Sequence, residues 1–395
     1  MFKKLIISFF LALLSGFGWS QTLSEKAEIS VYTMGPLQTE LYSAFGHSAF
    51  RVLDPDSGWD LIYNYGVFDF DQPNFYLNFA KGTPYYKLGV HDYKRFYNVY
   101  LRDDRRIVQQ VLNLNKEEKQ RLFDFLQWNA LPENQNYYYN YIYDNCATKI
   151  RDVMDSVFNN TIEYDYSYVN QSLSFRDLMD MYLGEQPWGD LGIDICLGTG
   201  IDKEASGYHY MYLPDYVEKA FNGATTPTDS TRKPLIKTTN VLNEGNPISP
   251  PESFLTPNVV FIGIFLFFGF ISFKDFKRGQ RSNWVDILLF SIAGIVGWLL
   301  AFLWFFTDHI SSNNFNMIWA MPAHMVVVPF LLQKNHPYWL RKYFLGQIVI
   351  LGLLIALWGF WPQNLHDSLI PFALILLIRS ILIVRFGSIR SKISG

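Results

Sequence analysis

From about residue 255 onward the chain is a series of apolar runs too long and too closely spaced for a water-soluble core. Five can be drawn, at about 259–273, 284–306, 317–332, 343–360 and 369–384. Lipid offers no hydrogen-bond partners to a backbone, so such runs must be helical. Interfacial Trp, Tyr and Lys extend the shorter ones toward the roughly 20 residues a span needs. Lys274, Lys277, Arg278 and Arg281 follow the first run, Lys334, Arg341 and Lys342 the third, and Arg385, Arg390 and Lys392 the fifth. The connections after the second and fourth runs carry neither Lys nor Arg. By the positive-inside rule the odd connections and the C-terminus are cytoplasmic, and everything before the first run lies outside.

The N-terminus leads to the same topology. Met1-Phe2-Lys3-Lys4, the apolar residues 5–14 and then Ser15, Gly16, Gly18 and Ser20 form the three regions of a secretory signal peptide, with removal expected near Ser20 or Gln21. The chain thus divides into a signal peptide (1–20), a periplasmic domain (21–225), a Thr-, Pro- and Ser-rich linker (226–256) and a five-helix transmembrane domain (257–395), a multi-pass protein of the inner membrane. A net charge of −3 and no concentrated basic face exclude a nucleic-acid partner.

In the exported part, residues 27–33, 46–53, 59–65, 85–91 and 95–101 read as strands. The turn cluster Asp54-Pro55-Asp56-Ser57-Gly58 joins the second to the third, which returns Asn64 beside His47. Asn115-Lys116-Glu117-Glu118 has the form of a capping box and opens a helix that ends before Pro132. Strands followed by helices make an α+β domain.

The stretch Asp144-Asn145-Cys146-Ala147-Thr148 precedes apolar residues at helical spacing, Ile150, Val153, Met154 and Val157. Asn145 is a good N-cap type, so Cys146 falls in the first turn, where unpaired N–H groups and the helix dipole favour a thiolate. A nucleophilic cysteine competes here with two plainer readings. One is a small buried residue. The other is a Cys146–Cys196 disulfide, which export permits although Cys196 sits in an apolar setting that needs no partner. A cysteine nucleophile needs a base and a group that orients it. His47 is favoured over His91 and His209, because Gly46 permits close approach and the hairpin supplies Asn64; Asp69 and Tyr65 are alternatives for the third role. In the membrane part, Asp308, His309 and His324 are ionisable groups at or below the bilayer surface and so candidates for contact with substrate. Arg379, inside the fifth run, is expected to snorkel to the interface. No metal or cofactor is implied, since neither cysteine belongs to a ligand cluster.

Gly46-His47-Ser48, Tyr63-Asn64-Tyr65-Gly66 and Asp144-Asn145-Cys146-Ala147-Thr148 resemble the circularly permuted branch of the NlpC/P60 papain-like fold, in which the histidine strand precedes the cysteine helix. Over nearly the whole chain, including residues 194–215 and 308–324, the sequence is similar to Lnb-type lipoprotein N-acyltransferases, which join such a domain to five membrane spans. Cys196 stands where an aliphatic residue is expected. The resemblance implies transfer of an acyl chain from a membrane phospholipid to the N-terminal amine of a diacylated lipoprotein. It also implies Cys146, His47 and Asn64 as catalytic residues and Tyr65, Asp308, His309 and His324 as substrate contacts. Two other functions fit parts of the sequence. A membrane-tethered cell-wall peptidase or amidase uses the same Cys–His pair but needs only one anchor, and a non-catalytic envelope binding protein would bury Cys146 and His47.

Overall fold

The computed structural model describes residues 21–387, apart from 229–230, 248, 251–252 and 334; the expected signal peptide, Lys334, Arg390 and Lys392 lie outside the described residues. The N-terminal half is built on an antiparallel sheet of seven strands. These are β1 (Glu28–Met34), β2 (His47–Asp54), β3 (Trp59–Val67), β4 (Tyr85–Asp92), β5 (Ile107–Leu112), β6 (Asn136–Tyr138) and, after a short hairpin of β7 (Thr225–Pro227) and β8 (Arg232–Pro234), β9 (Ile236–Asn243). Their order is β6-β4-β3-β2-β1-β5-β9.

Alternation along the strands gives the sheet two apolar faces. Ile29, Val31, Phe50, Val52, Tyr63 and Tyr65 face a core completed by three helices, α3 (Lys116–Asn129), α4 (Cys146–Val157) and α8 (Pro214–Gly223). Tyr32, Met34, Ala49 and Ile62 face Phe96 of α2 (Tyr93–Arg102). Residues 95–101, read as a strand, therefore belong to a helix. The Asp92 side chain caps it by accepting from Arg95 N at 2.9 Å, and Tyr93, Phe96, Tyr97 and Tyr100 recur at helical spacing toward the sheet. β-favouring Phe, Tyr and Val residues masked that period.

Three further helices lie beside this core, α5 (Phe175–Leu183), α6 (Pro187–Cys196) and the single-turn α7 (Gly207–Tyr210), and a short α1 (Phe75–Ala80) lies between β3 and β4. The 226–256 stretch, read as a linker, holds β8 and β9; β9 pairs with β5 from Leu112↔Ile236 to Ile107↔Asn243 and closes that edge of the sheet.

Among the described residues, four helices are long and apolar enough to cross a membrane: α9 (Pro257–Arg278), α10 (Asn283–Phe306), α12 (Tyr338–Ala356) and the segment Asp367–Phe386, most of it α13 (Ile370–Phe386). The third apolar run is broken. A 3-10 turn at Phe315–Ile318 is followed by α11, only Ala323–Leu331, with Pro322 before it and Pro329 within it. Proline removes a backbone donor and clashes with the preceding turn, so this run cannot form one straight helix. It still connects the two ends of the bundle: Asn314 and Asn316 bond the soluble domain, while His336 beyond it meets Arg281 at 2.6 Å in the connection between α9 and α10. Arg379 does not snorkel. It is fully buried and bonds Asp286 at 2.6 Å and Asp275 at 2.7 Å, a pairing that makes a charge tolerable at that depth.

Candidate active site

Helix α4 begins at Cys146 because Asn145 caps it. The Asn145 Oδ1 accepts from Ala147 N at 2.8 Å and Thr148 N at 3.0 Å, and Thr148 Oγ1 accepts from Asn145 N at 2.8 Å. The Asn145 Nδ2 donates to the carbonyls of Tyr141 and Tyr212 at 2.9 and 2.8 Å. Every hydrogen-bonding position of that amide is used, which anchors the residue before the thiol.

The hairpin of β2 and β3 delivers the histidine. Its register pairs Phe50 with Tyr63, so the first residue of β2 lies against the end of β3, and His47 Nε2 meets Asn64 Oδ1 at 2.6 Å. The Asn64 oxygen accepts, so Nε2 carries the proton and Nδ1 remains for Cys146. Gly46 has φ +84°, and a Cβ there would lie 2.8 Å from the Met34 carbonyl, so only glycine lets the chain enter β2 at this point. Gly66, with φ +87°, borders the thiol: a Cβ on it would stand 3.8 Å from that of Cys146 and 3.9 Å from the Tyr137 hydroxyl.

Burial pushes the Cys146 thiol up, but the adjacent His47, the hydrogen bond between them and the N–H groups of Ser48 and Ala147 outweigh it and hold the thiol below its ordinary value. Burial likewise disfavours a charged His47, yet Cys146 and Asn64 more than compensate and raise its pKa. Both shifts favour a thiolate–imidazolium pair. Cys196 differs: burial alone raises its thiol, and both cysteines are free, so no disulfide joins them.

Two residues that sequence reasoning passed over complete the setting. Tyr100 of α2 stacks on the His47 ring with centroids 6.1 Å apart and planes 7° from parallel. Arg105 lies 4.8 Å from the Tyr100 centroid and donates to the Gly35 carbonyl at 2.8 Å. A helical reading of 93–102 would have drawn attention to Tyr100; Arg105 left no local signal.

The other expected site residues are placed differently. Tyr65 is 1% exposed and its hydroxyl donates to Asn129 at 2.6 Å, so it is core and neither lines the site nor orients His47. Asp69 is exposed, and its side chain accepts from Asp71 N at 2.9 Å. His324 is buried in the bundle between the Tyr343 hydroxyl, at 2.7 Å, and the Trp319 carbonyl, so it makes a packing contact rather than an accessible one. Asp308 and His309 dock on the soluble domain, the Asp308 N–H donating to the Lys81 carbonyl at 2.8 Å and His309 Nε2 meeting the Phe79 carbonyl at 3.1 Å.

The Ser- and Asn-rich loop around them is largely a docking surface. Asn314 Nδ2 donates to the Ile195 carbonyl at 2.7 Å, Asn316 Nδ2 to that of Asp194 at 2.9 Å, and Gln363 Nε2 to that of Leu197 at 2.8 Å. The Ile310 N–H reaches the Tyr141 hydroxyl at 3.3 Å, so the membrane domain touches the strand of chain that leads into Cys146.

Among the described residues, Asp190, Asp194 and His366 form a group whose ligand atoms lie within 4.8 Å of one another. Asp194 pairs with Arg176, and the His366 Nδ1 meets Ser368 Oγ at 2.7 Å. Burial and the neighbouring Asp194 and Asp190 push the nearby Asp180 carboxyl up to about 8.

The Lnb N-terminal periplasmic domain model matches residues 19–178, and the Lnb transmembrane domain model matches residues 249–390. No curated protein and no solved structure matches the chain significantly.

Proposed function

The chain is an Lnb-type protein, with the family's periplasmic domain and its membrane domain, and from that premise we propose that it is an apolipoprotein N-acyltransferase. It takes an acyl chain from a membrane phospholipid, holds it as a thioester on Cys146, and passes it to the N-terminal amine of a diacylglyceryl-cysteine lipoprotein. The observation that carries this reading is the line Cys146, His47, Asn64, built on a domain bonded to the outer end of a membrane bundle. On this reading the protein sits in the inner membrane with its C-terminus in the cytoplasm. Both substrates are anchored in the same bilayer, which raises their effective concentration at a tethered thiolate.

The Cys146 Sγ attacks the ester carbonyl, and a C–S bond forms. As the tetrahedral intermediate collapses, the bond to the glycerol oxygen breaks and His47 gives its proton to the departing lysophospholipid. The lipoprotein amine then attacks the thioester, His47 takes a proton from it, and the C–S bond breaks to leave an amide and the original thiolate. Asn64 keeps Nδ1 of the ring turned to the sulfur throughout. The Thr148 N–H is bonded to Asn145 and that of Ala147 is shared between Asn145 and the Cys146 sulfur, while the Cys146 N–H and the buried, unpartnered Tyr137 hydroxyl are further donors for an oxyanion. One such donor contributes about 3 kcal/mol.

Mass spectrometry of lipoprotein N-termini tests the reading. Cells relying on the wild-type protein should yield triacylated N-termini, and cells relying on Cys146→Ser diacylated ones. Triacylated product from the variant would remove the mechanism, whereas activity retained in His47→Gln would remove only the base.

A further inference from the structure

Between β3 and β4 the chain leaves the sheet and turns through α1, which carries Phe75, Tyr76, Leu77 and Phe79 in six residues. Phe75 is buried, while Phe70, Tyr76, Leu77 and Phe79 expose 58%, 73%, 51% and 54% of their surface. Apolar groups clustered in this way on a domain surface mark a contact with another apolar phase. Where α1 sits identifies that phase. Its end is held by the Asp308 N–H on the Lys81 carbonyl at 2.8 Å and by His309 on the Phe79 carbonyl at 3.1 Å. Asp308 follows closely on Phe306, the last residue of the membrane helix α10, whose Phe305 and Phe306 are themselves 64% and 73% exposed. Helix α1 therefore lies at the level where α10 emerges from hydrocarbon, a depth that favours aromatic side chains.

From this surface inward the rings follow one another. Phe70 and Phe75 lie 5.0 and 6.0 Å from Phe68, Phe68 lies 5.1 Å from Tyr86, and Tyr86 lies 4.4 Å from Tyr139. Tyr139 borders Gly66, at 3.9 Å from a Cβ placed there, on the side where Cys146 stands at 3.8 Å.

We propose that residues 68–82 form an interfacial wedge that inserts into the leaflet next to the soluble domain, and that its row of aromatic rings guides a lipid acyl chain to Cys146. The insertion rests on the geometry alone, whereas the guidance to Cys146 rests on the acyltransferase reading.

The test uses the full chain with Cys146→Ser and Cys196→Ser, reconstituted in vesicles of phosphatidylethanolamine and phosphatidylglycerol. Single cysteines at Tyr76→Cys and Leu77→Cys carry a nitroxide, and Val241→Cys, on β9 and 47% exposed, is the control. Oxygen partitions into hydrocarbon and a nickel chelate stays in water. Labels at 76 and 77 should gain oxygen accessibility and lose nickel accessibility relative to the label at 241. Labels that respond like the control, or that are shielded from both reagents as under a protein partner, overturn the insertion. This readout needs no turnover, so it stands or fails apart from the enzymatic reading. For the guidance step, in the full chain with Cys146 retained and only Cys196→Ser, Tyr76→Asp with Phe79→Asp should raise the KM for vesicle-borne phospholipid while leaving alkylation of Cys146 by a soluble haloacetamide unchanged. An unchanged KM overturns the guidance.

Discussion

Replacing Asn64 by alanine isolates one link of the proposed machinery. The amide oxygen accepts from His47 Nε2 at 2.6 Å, and the ring is charged in the thiolate–imidazolium pair, so the lost bond is one to an ionised group. Such bonds contribute about 1.5–3 kcal/mol, against about 0.5–1.5 kcal/mol for the same bond made by the neutral ring, so the ion pair loses about 1–1.5 kcal/mol more than the neutral pair. At about 1.36 kcal/mol per unit, the pH at which Cys146 ionises should rise by about 1 unit in Asn64→Ala. Below the midpoint, alkylation by iodoacetamide should then slow roughly 10-fold. The rate is followed from pH 5 to 9 in a Cys196→Ala background, so that one thiol reports. The direction follows from the shifts themselves: the Cys146 thiol is held low and His47 is held high, and weakening the imidazolium returns the thiol toward its ordinary value. In His47→Gln the thiol keeps its burial and loses its main opposing influence, so its midpoint should lie higher still. A midpoint unmoved or lowered in Asn64→Ala would refute the role given to Asn64, whatever the activity of the variant.

Two further outcomes follow from buried charge. Asp180, pushed up to about 8, ionises more readily unfolded than folded, so its penalty to stability accumulates as pH rises from about 4 and levels off beyond about 8; Asp180→Asn should raise the thermal midpoint in detergent, more at pH 8 than at pH 6, and a gain independent of pH would contradict this. Arg379→Ala leaves Asp275 without its buried partner and Asp286 with only Arg281, a loss of about 3–5 kcal/mol that should appear as a lower midpoint by scanning fluorimetry, with partial recovery in Arg379→Lys.

Much of the proposed site could be read from residues close in sequence. The cap on Cys146 needs only Asn145 and Thr148, and the approach of Asn64 to His47 needs only a hairpin joined by a strong turn. Tyr100 and Arg105 were not legible in this way, because they reach His47 from the opposite face of the sheet. The polar loop at 307–316 is unusual in the sequence, and its ionisable Asp308 and His309 point to substrate. Asn314 and Asn316 in fact spend their amides on the carbonyls of residues 194–196. A side-chain amide looks the same in a sequence whether it meets a ligand or a distant backbone.

The sequence by itself determined what depends on short range and on solvent: apolar runs that only a membrane accommodates, the mixed domain before them, and a cysteine in the first turn of a capped helix. Tertiary structure alone decided which distant partners those elements find. Strand β9 pairs with β5, more than 120 residues earlier, Arg379 enters an ion pair instead of reaching water, and α1 comes to rest at the end of α10. The physical reason is that periodicity and capping are satisfied within a few residues. A strand edge, a buried charge or an exposed apolar helix is satisfied only by what folding brings beside it.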